Sequence, residues 1–149
     1  MPQITKLLTI PKGEVFELVQ DFIYDVNGYR ITVPKNFITD YASVPKAFQV
    51  IIHKEGKHSE AAVVHDFLYS RYNDTGINRK LADKIFLFIM KECGVPFTRR
   101  VAMYLSVRSF GGIFYMPKDN NEGYRDEAVI DNSEASKQYY KLWNNILKL

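Results

Sequence analysis

The first forty positions contain short, strongly apolar segments typical of strands, whereas helical spacing of apolar residues appears after residue 57. Residues 4–10 and 15–24 are rich in β-branched and aromatic side chains, which predicts strands. Asn27 and Gly28 precede a third such segment, residues 29–33, and favour a two-residue hairpin turn because that turn needs positive φ angles. We therefore expect a β-hairpin or small antiparallel sheet at the N-terminus.

Three segments with helical spacing follow, at residues 58–72, 78–93 and 98–110. Ser59 is a candidate N-cap of the first, and Gly94 follows the second as a stop signal. A further amphipathic helix is predicted at residues 133–149. The pattern predicts an α+β fold in which the small antiparallel sheet precedes a helical body. That body contains two antiparallel core helices and a C-terminal amphipathic helix.

The chain length fits one domain. With 149 residues, of which 46% are hydrophobic, the chain can bury a single core. Within this domain we expect residues 1–36 to be mainly β, 37–57 to be loop-rich, 58–112 to form the helical core, and 113–149 to be a loop with the last helix.

Charge and cysteine content exclude several classes of protein. The 20 Lys and Arg against 17 Asp and Glu give a net charge of only +3, without basic runs, which argues against nucleic-acid binding. The single cysteine, Cys93, cannot close an intramolecular disulfide or supply a thiolate zinc cluster. No signal peptide and no apolar run of about 18 residues is visible, so we expect a soluble protein that is made in a cytoplasm and leaves it only by another export route.

One side of the first predicted helix combines small and ionisable residues: His58, Ala62, His65, Asp66 and Tyr69. A solvated side normally carries Lys and Glu, so this composition favours the wall of a narrow cleft. The alternative is a hydrogen-bonded core histidine at position 65 with a surface carboxylate at position 66.

Asp83 lies on the apolar side of the second predicted helix, where an unpaired carboxylate would be costly. If the two helices pack antiparallel, Asp83 can accept a hydrogen bond from one ring nitrogen of His65. The other nitrogen is then free to take a proton. The alternative partner is Arg79, one turn earlier, in a plain ion pair.

Asp40 lies in a short loop that ends at Pro45. With Asp66 and loop carbonyls it could form an oxygen site for a hard cation, and calcium tolerates such irregular sites best. The alternative is that Asp40 only caps its own loop. Zinc is less favoured, because His58 and His65 are not spaced as neighbouring ligands on a helix.

The segment H-D-F-L-Y that begins at His65, with Asp83 on the next helix, resembles the active-site helix pair of phospholipases A2, especially their bacterial and parvoviral branches. The resemblance implies that His65 is the general base that activates water, and that Asp66 ligates calcium. It also implies that Asp83 orients the histidine and that Tyr69 supports Asp83. The loop around Asp40 is similar to the calcium-loop segment of the bacterial branch, which would make Asp40 a second ligand.

A second resemblance rests on four segments: T-D-Y-A-S-V-P from Thr39, A-A-V-V-H-D-F-L-Y from Ala61, A-D-K-I-F from Ala82 and V-R-S-F-G from Val107. These segments look like a small domain family of unknown function found in bacteriophages and prophages. The resemblance implies a phage protein that is made in the host cytoplasm and associates with the virion.

Together these observations predict a phage-associated, phospholipase A2-like ester hydrolase that uses calcium and acts on phospholipid or a membrane surface. Further candidate site residues are His58, Arg79 and Arg108. One alternative is a non-catalytic virion or tail protein that binds other phage structural proteins. A second is a metal-dependent peptidoglycan hydrolase that uses His58 and His65, for which zinc would replace calcium.

Overall fold

A computed structural model describes Gly112, Tyr115 and residues 3–26, 28–39, 59–75 and 77–110. These residues form small antiparallel sheets followed by helices, so the predicted α+β fold class is confirmed. The strands are β1 (Thr9–Lys12), β2 (Val15–Leu18), β3 (Phe22–Val26), β4 (Tyr29–Val33) and β5 (Ile38–Thr39), and the helices are α1 (Ser59–Tyr69), α2 (Arg79–Glu92) and α3 (Phe97–Phe110).

The predicted hairpin is present as β3 and β4, which pair antiparallel with Val26 opposite Tyr29. Gly28 in the connection has φ +90°, a conformation that glycine adopts without steric cost. Alternate residues of both strands are buried, as period-two patterning requires, and Phe22 lies opposite Val33 in the core.

The other two predicted strands were misplaced. The first strand spans Thr9–Lys12 instead of residues 4–10, and residues 15–24 divide between β2 and β3. The reason lies in the polar residues between them: the Gln20 amide donates to the carbonyl of Lys6, and Asp21 Oδ1 accepts from the Lys35 backbone N–H at 2.7 Å. These bonds turn the chain from one sheet into the next.

Strands β1, β2 and β5 form a three-stranded antiparallel sheet with β2 in the centre. Ile38 of β5 lies opposite Glu17 and is exposed, whereas the next residue, Thr39, is 2% exposed. Because successive strand residues point to opposite faces, β5 directs the Thr39 side chain inward, towards α1.

Helix α1 ends at Tyr69, three residues before the predicted end at residue 72. The Ser70 hydroxyl donates to the carbonyl of Phe67 at 2.7 Å and accepts from the Tyr72 backbone N–H. A serine hydroxyl that takes backbone partners in this way competes with helix continuation.

Helix α2 begins and ends at capping residues. Asn78 is its N-cap and accepts a hydrogen bond from the Leu81 N–H at 2.8 Å. After the helix, Gly94 adopts φ +79°, in agreement with the predicted stop signal. The third helix begins at Phe97, one residue before the predicted start.

The side of α1 that was expected to line a cleft is buried in the described part of the chain. Ala62, His65 and Tyr69, expected on a cleft wall, are as buried as the apolar residues on the opposite side. The cause is that α1 packs against α2 as well as against strands β4 and β5. Of the residues expected on that wall and described, only Asp66 retains partial exposure.

Several predicted features lie outside the described residues: the helix at 133–149, the loop-rich segment 40–57 that includes Asp40, and His58. Among the helices that are described, none is long and apolar enough to cross a membrane.

Candidate functional site

A fully buried carboxylate, Asp83, is the centre of a polar cluster between the three helices. Its Oδ1 lies 2.8 Å from His65 Nε2 and accepts from the Tyr69 hydroxyl at 2.5 Å. Its Oδ2 accepts from Arg108 Nη1 at 2.8 Å. Asp83 therefore has three partners on two helices other than its own.

Helical spacing explains how these side chains meet. His65 and Tyr69 are four residues apart on α1, which places them one turn apart on the same side. Asp83 faces them from α2, and Arg108 reaches it from the last turn of α3. The imidazole of His65 also packs between rings, with centroids 4.1 Å from Tyr69 and 4.6 Å from Phe86. The ring of His65 is thus held on several sides.

The hydrogen bonds of Asp83 fix its charge. Burial alone would raise the pKa of this carboxyl, but the hydrogen bonds from His65, Tyr69 and Arg108, together with the charge that His65 carries when protonated, outweigh it and lower the pKa from its ordinary 3.8. An ionised carboxylate only accepts hydrogen bonds, so Nε2 of His65 must carry the proton. In neutral His65 the lone pair is then on Nδ1, for which no described residue is a hydrogen-bond partner.

The two partners with hydroxyl and guanidinium groups are held in their usual protonation states. Burial, reinforced by the charge of Asp83, raises the pKa of Tyr69. Burial would lower the pKa of Arg108, but the hydrogen bond and charge of Asp83 reverse the direction and raise it. At neutral pH the cluster contains a neutral phenol and a charged guanidinium.

The alternative ion pair between Asp83 and Arg79 is wrong. Arg79 Nε donates to the Tyr69 hydroxyl at 3.2 Å, and Nη2 donates to the backbone carbonyls of Val107 and Arg108 at 2.9 and 2.7 Å. Carbonyls in the last turn of a helix lack partners within the helix, so a cation there satisfies them. Arg79 is therefore a cap for α3, and Arg108 is the ion-pair partner of Asp83.

Asp66 has a different partner from its neighbour His65. Its Oδ2 accepts a hydrogen bond from the Thr39 hydroxyl at 2.5 Å, which connects α1 to β5. Thr39 immediately precedes Asp40, the second expected calcium ligand, whose own position lies outside the described residues. Within the described part of the chain, no group of three His, Cys, Asp or Glu side chains is placed to hold a metal ion.

The structure thus brings together His65, Tyr69, Asp83 and Arg108, and places Arg79 against Tyr69. Sequence reasoning missed Thr39 as a partner of Asp66. It named Arg108 without a role, because 25 residues separate Arg108 from Asp83 and no local spacing reveals such a contact. The only available signal was Asp83 itself, since a buried carboxylate requires a cation or several donors.

A buried histidine and a buried aspartate thus lie at the centre of this α+β domain. A family model described as a protein of unknown function (DUF1353) matches residues 16–107, which include Thr39, His65, Tyr69 and Asp83. The chain belongs to this family. No curated protein and no solved structure gave a significant match.

Proposed function

We propose that this protein is a phage-associated, phospholipase A2-like hydrolase in which His65 activates a water molecule to attack a carboxylic ester. The observation that carries the proposal is the hydrogen bond between His65 Nε2 and the buried, ionised Asp83. This bond assigns the imidazole proton to Nε2 and leaves Nδ1 as a base. His65 is itself mostly buried, with 4% of its surface exposed.

Each residue of the cluster has a distinct task in this proposal. Nδ1 of His65 takes the proton from water as the oxygen attacks the ester carbonyl, and returns it to the departing alcohol oxygen as the ester C–O bond breaks. A positioned base of this kind contributes about 10² to 10⁴-fold. Asp83 holds the tautomer and the ring orientation and stabilises the imidazolium that forms. Tyr69 is a positioning residue, because its hydroxyl donates to the oxygen of Asp83 that also bonds His65.

Calcium is part of the proposal, with Asp66 and Asp40 as its ligands. The described donors suit a hard cation, because Asp66 offers a partly exposed carboxylate with one oxygen already oriented by Thr39. A bound cation would supply charge stabilisation at the ester oxygen. Asp83 is not a candidate ligand, since its oxygens are occupied by three donors.

The test is turnover of a fluorogenic phospholipid ester, with calcium and with a chelator. We expect turnover only with calcium. We expect His65→Gln to lower it by about 10² to 10⁴-fold, and Asp66→Asn to abolish calcium binding measured by calorimetry. Glu14→Gln, which removes an exposed carboxylate in the turn between β1 and β2, is the matched control and should match the wild type in both assays. The proposal fails if no carboxylic ester is hydrolysed in either condition and no calcium binds.

A non-catalytic role in a phage virion is the second candidate, and one observation favours it. The cluster around Asp83 connects α1, α2 and α3, as a buried polar network that only fixes the fold would also do. Under this alternative, His65→Gln lowers the melting temperature strongly and the wild type has no ester turnover. A catalytic role instead predicts lost turnover in a variant that still folds.

A further inference from the structure

Helix α3 has a row of apolar side chains on its outer side, which we call the α3 stripe: Phe97, Val101 and Leu105. Intervals of four residues place them next to one another on one side of the helix. Phe97 is 66% exposed and Leu105 is 56% exposed. The buried residues Met103 and Val107 lie on the opposite side, which α3 packs into the core. The described residues therefore leave the outer side of α3 largely uncovered.

Cations border the α3 stripe. The guanidinium of Arg100 lies over the ring of Phe97, 5.1 Å from its centre. The Nζ of Lys84, on α2, lies 4.8 Å from the centre of the Tyr104 ring, and Tyr104 is three residues from Val101 on α3. Helix α3 itself contains no Asp or Glu. An occupant that fits this face therefore combines apolar side chains with negative charge.

The chain beyond Tyr115 has this combination. Residues 119–134 contain six carboxylates and one arginine. The helix predicted at residues 133–149 overlaps the end of this acidic segment and has one apolar side. The residues on that side are Ala135, Tyr139, Leu142, Trp143 and Ile146. Negative charge and an apolar helical side thus follow one another along the same segment.

This segment is long enough to reach the α3 stripe. The chain is last described at Tyr115, whose ring packs edge-on against that of Tyr69 with centroids 5.3 Å apart. The 17 residues 116–132 lie between this anchor and the predicted helix, and they can span about 55 Å. Helix α3, with 14 residues, is only about 21 Å long. Either end of α3 is therefore within reach.

We propose that residues 119–146 dock on the α3 stripe of the same chain. The apolar side of the predicted helix covers the stripe, and the carboxylates that precede it lie beside Arg100 and Lys84. Because α3 supplies Arg108 to Asp83, the docked segment holds this helix from the side that faces away from the core. The inference does not depend on the proposed hydrolase.

Trp143 is the single tryptophan of the chain, so its fluorescence reports on this contact. In the wild type we expect emission shifted to the blue, and weaker acrylamide quenching, relative to N-acetyltryptophanamide. Leu105→Lys places a charge in the α3 stripe and should shift the emission to the red and raise the quenching. Lys84→Glu removes no bond of Asp83 and should also raise the quenching, because it repels the carboxylates. Ile10→Lys, at an exposed apolar position on β1, is the matched control and should change neither measurement.

The outcomes decide whether the segment docks and in which chain. Wild-type emission like that of N-acetyltryptophanamide overturns the proposal, and so does a shielded Trp143 that is unchanged in Leu105→Lys. Emission that depends on protein concentration assigns the α3 stripe to a second copy and overturns docking within one chain. If circular dichroism shows that Leu105→Lys loses helix, Phe97→Ser, at the exposed start of α3, takes its place in the same comparison.

Discussion

At the scale of single residues, Asp83 determines how the cluster works. A carboxylate with 0% exposure would be strongly destabilising without partners, and here three donors surround it. The same bonds assign the tautomer of His65 and hold the hydroxyl of Tyr69. One residue therefore links the stability of the helical body to the chemistry that we propose.

Asp83 also predicts a pH dependence of stability. Its pKa is lowered in the folded state below the ordinary 3.8, so its ionised form stabilises the fold at any pH above that value. This contribution is lost as the pH falls below 3.8 towards the folded-state value. Urea titrations between pH 7 and pH 2 test this. At neutral pH, we expect the free energy of unfolding of Asp83→Asn to be about 3 kcal/mol lower than that of the wild type. Its free energy of unfolding should then depend less on pH in the acidic range than that of the wild type.

The matched control for this measurement is Glu14→Gln, which removes an exposed carboxylate. Its free energy of unfolding should change with pH in the acidic range as that of the wild type does. If Asp83→Asn retains that pH dependence as well, the lowered pKa is not the source of the acid sensitivity.

The sequence allowed half of this site to be predicted. Asp83 among apolar positions required a partner, and the contact with His65 followed from packing consecutive helices together. Arg79 was the only arginine considered as a partner of Asp83, because the backbone carbonyls of α3 that Arg79 binds instead could not be foreseen from the sequence. Local spacing indicated Arg79, which lies on the same helix as Asp83. In the folded protein the partner is Arg108 of α3.

At the scale of elements, the turn between α1 and α2 sets how the two helices meet. The buried Asn73 amide donates to the carbonyls of Leu68 and Ile77 at 2.8 and 3.2 Å. Its Oδ1 accepts from the backbone N–H and the hydroxyl of Thr75. One side chain thus joins the end of α1 to the approach to α2, and so places His65 opposite Asp83.

We expect Asn73→Ala to destabilise the fold more than removal of the neighbouring helix cap. Asn73→Ala leaves the buried carbonyls of Leu68 and Ile77 without this donor, at a cost of about 2 kcal/mol or more. Asn78→Ala removes the N-cap of α2 and should lower the free energy of unfolding by about 1 kcal/mol. Chemical denaturation measures both. Asp74→Ala, an exposed change in the same turn, should lie within about 0.5 kcal/mol of the wild type. An equal or smaller loss for Asn73→Ala than for Asn78→Ala would contradict the role of this turn.

Helices and hairpin were more predictable than the remaining strands, for a physical reason. Helix α2 has a local N-cap at Asn78 and a glycine stop at Gly94, and the β3–β4 hairpin has a local turn signal. The division of residues 15–24 between two sheets depends instead on partners far along the chain, such as Lys35 for Asp21. Alternation indicates that a segment is extended, but it does not determine which strand it pairs with.

At the scale of the whole molecule, two arginines tie the helical body together around one carboxylate. Arg108 joins α3 to α2 through Asp83, and Arg79 joins α2 to both α1 and α3. The helices therefore meet through charged and polar bonds at one end and through apolar side chains elsewhere in the core. Substitution of Arg79 should therefore weaken the packing of α3 against the other helices more than it weakens the sheets.

We expect Arg79→Met, which preserves side-chain length, to lower the free energy of unfolding by about 2 to 3 kcal/mol. The reason is that the carbonyls of Val107 and Arg108 and the Tyr69 hydroxyl lose their donor. Hydrogen exchange should accelerate most in the last turn of α3 and least in the β3–β4 hairpin. Arg79→Lys should recover part of the loss, because an ammonium can reach a carbonyl but lacks the planar fork. Arg30→Met, at an exposed site on β4, is the control. If its exchange pattern matches that of Arg79→Met, Arg79 is not the link between the helices.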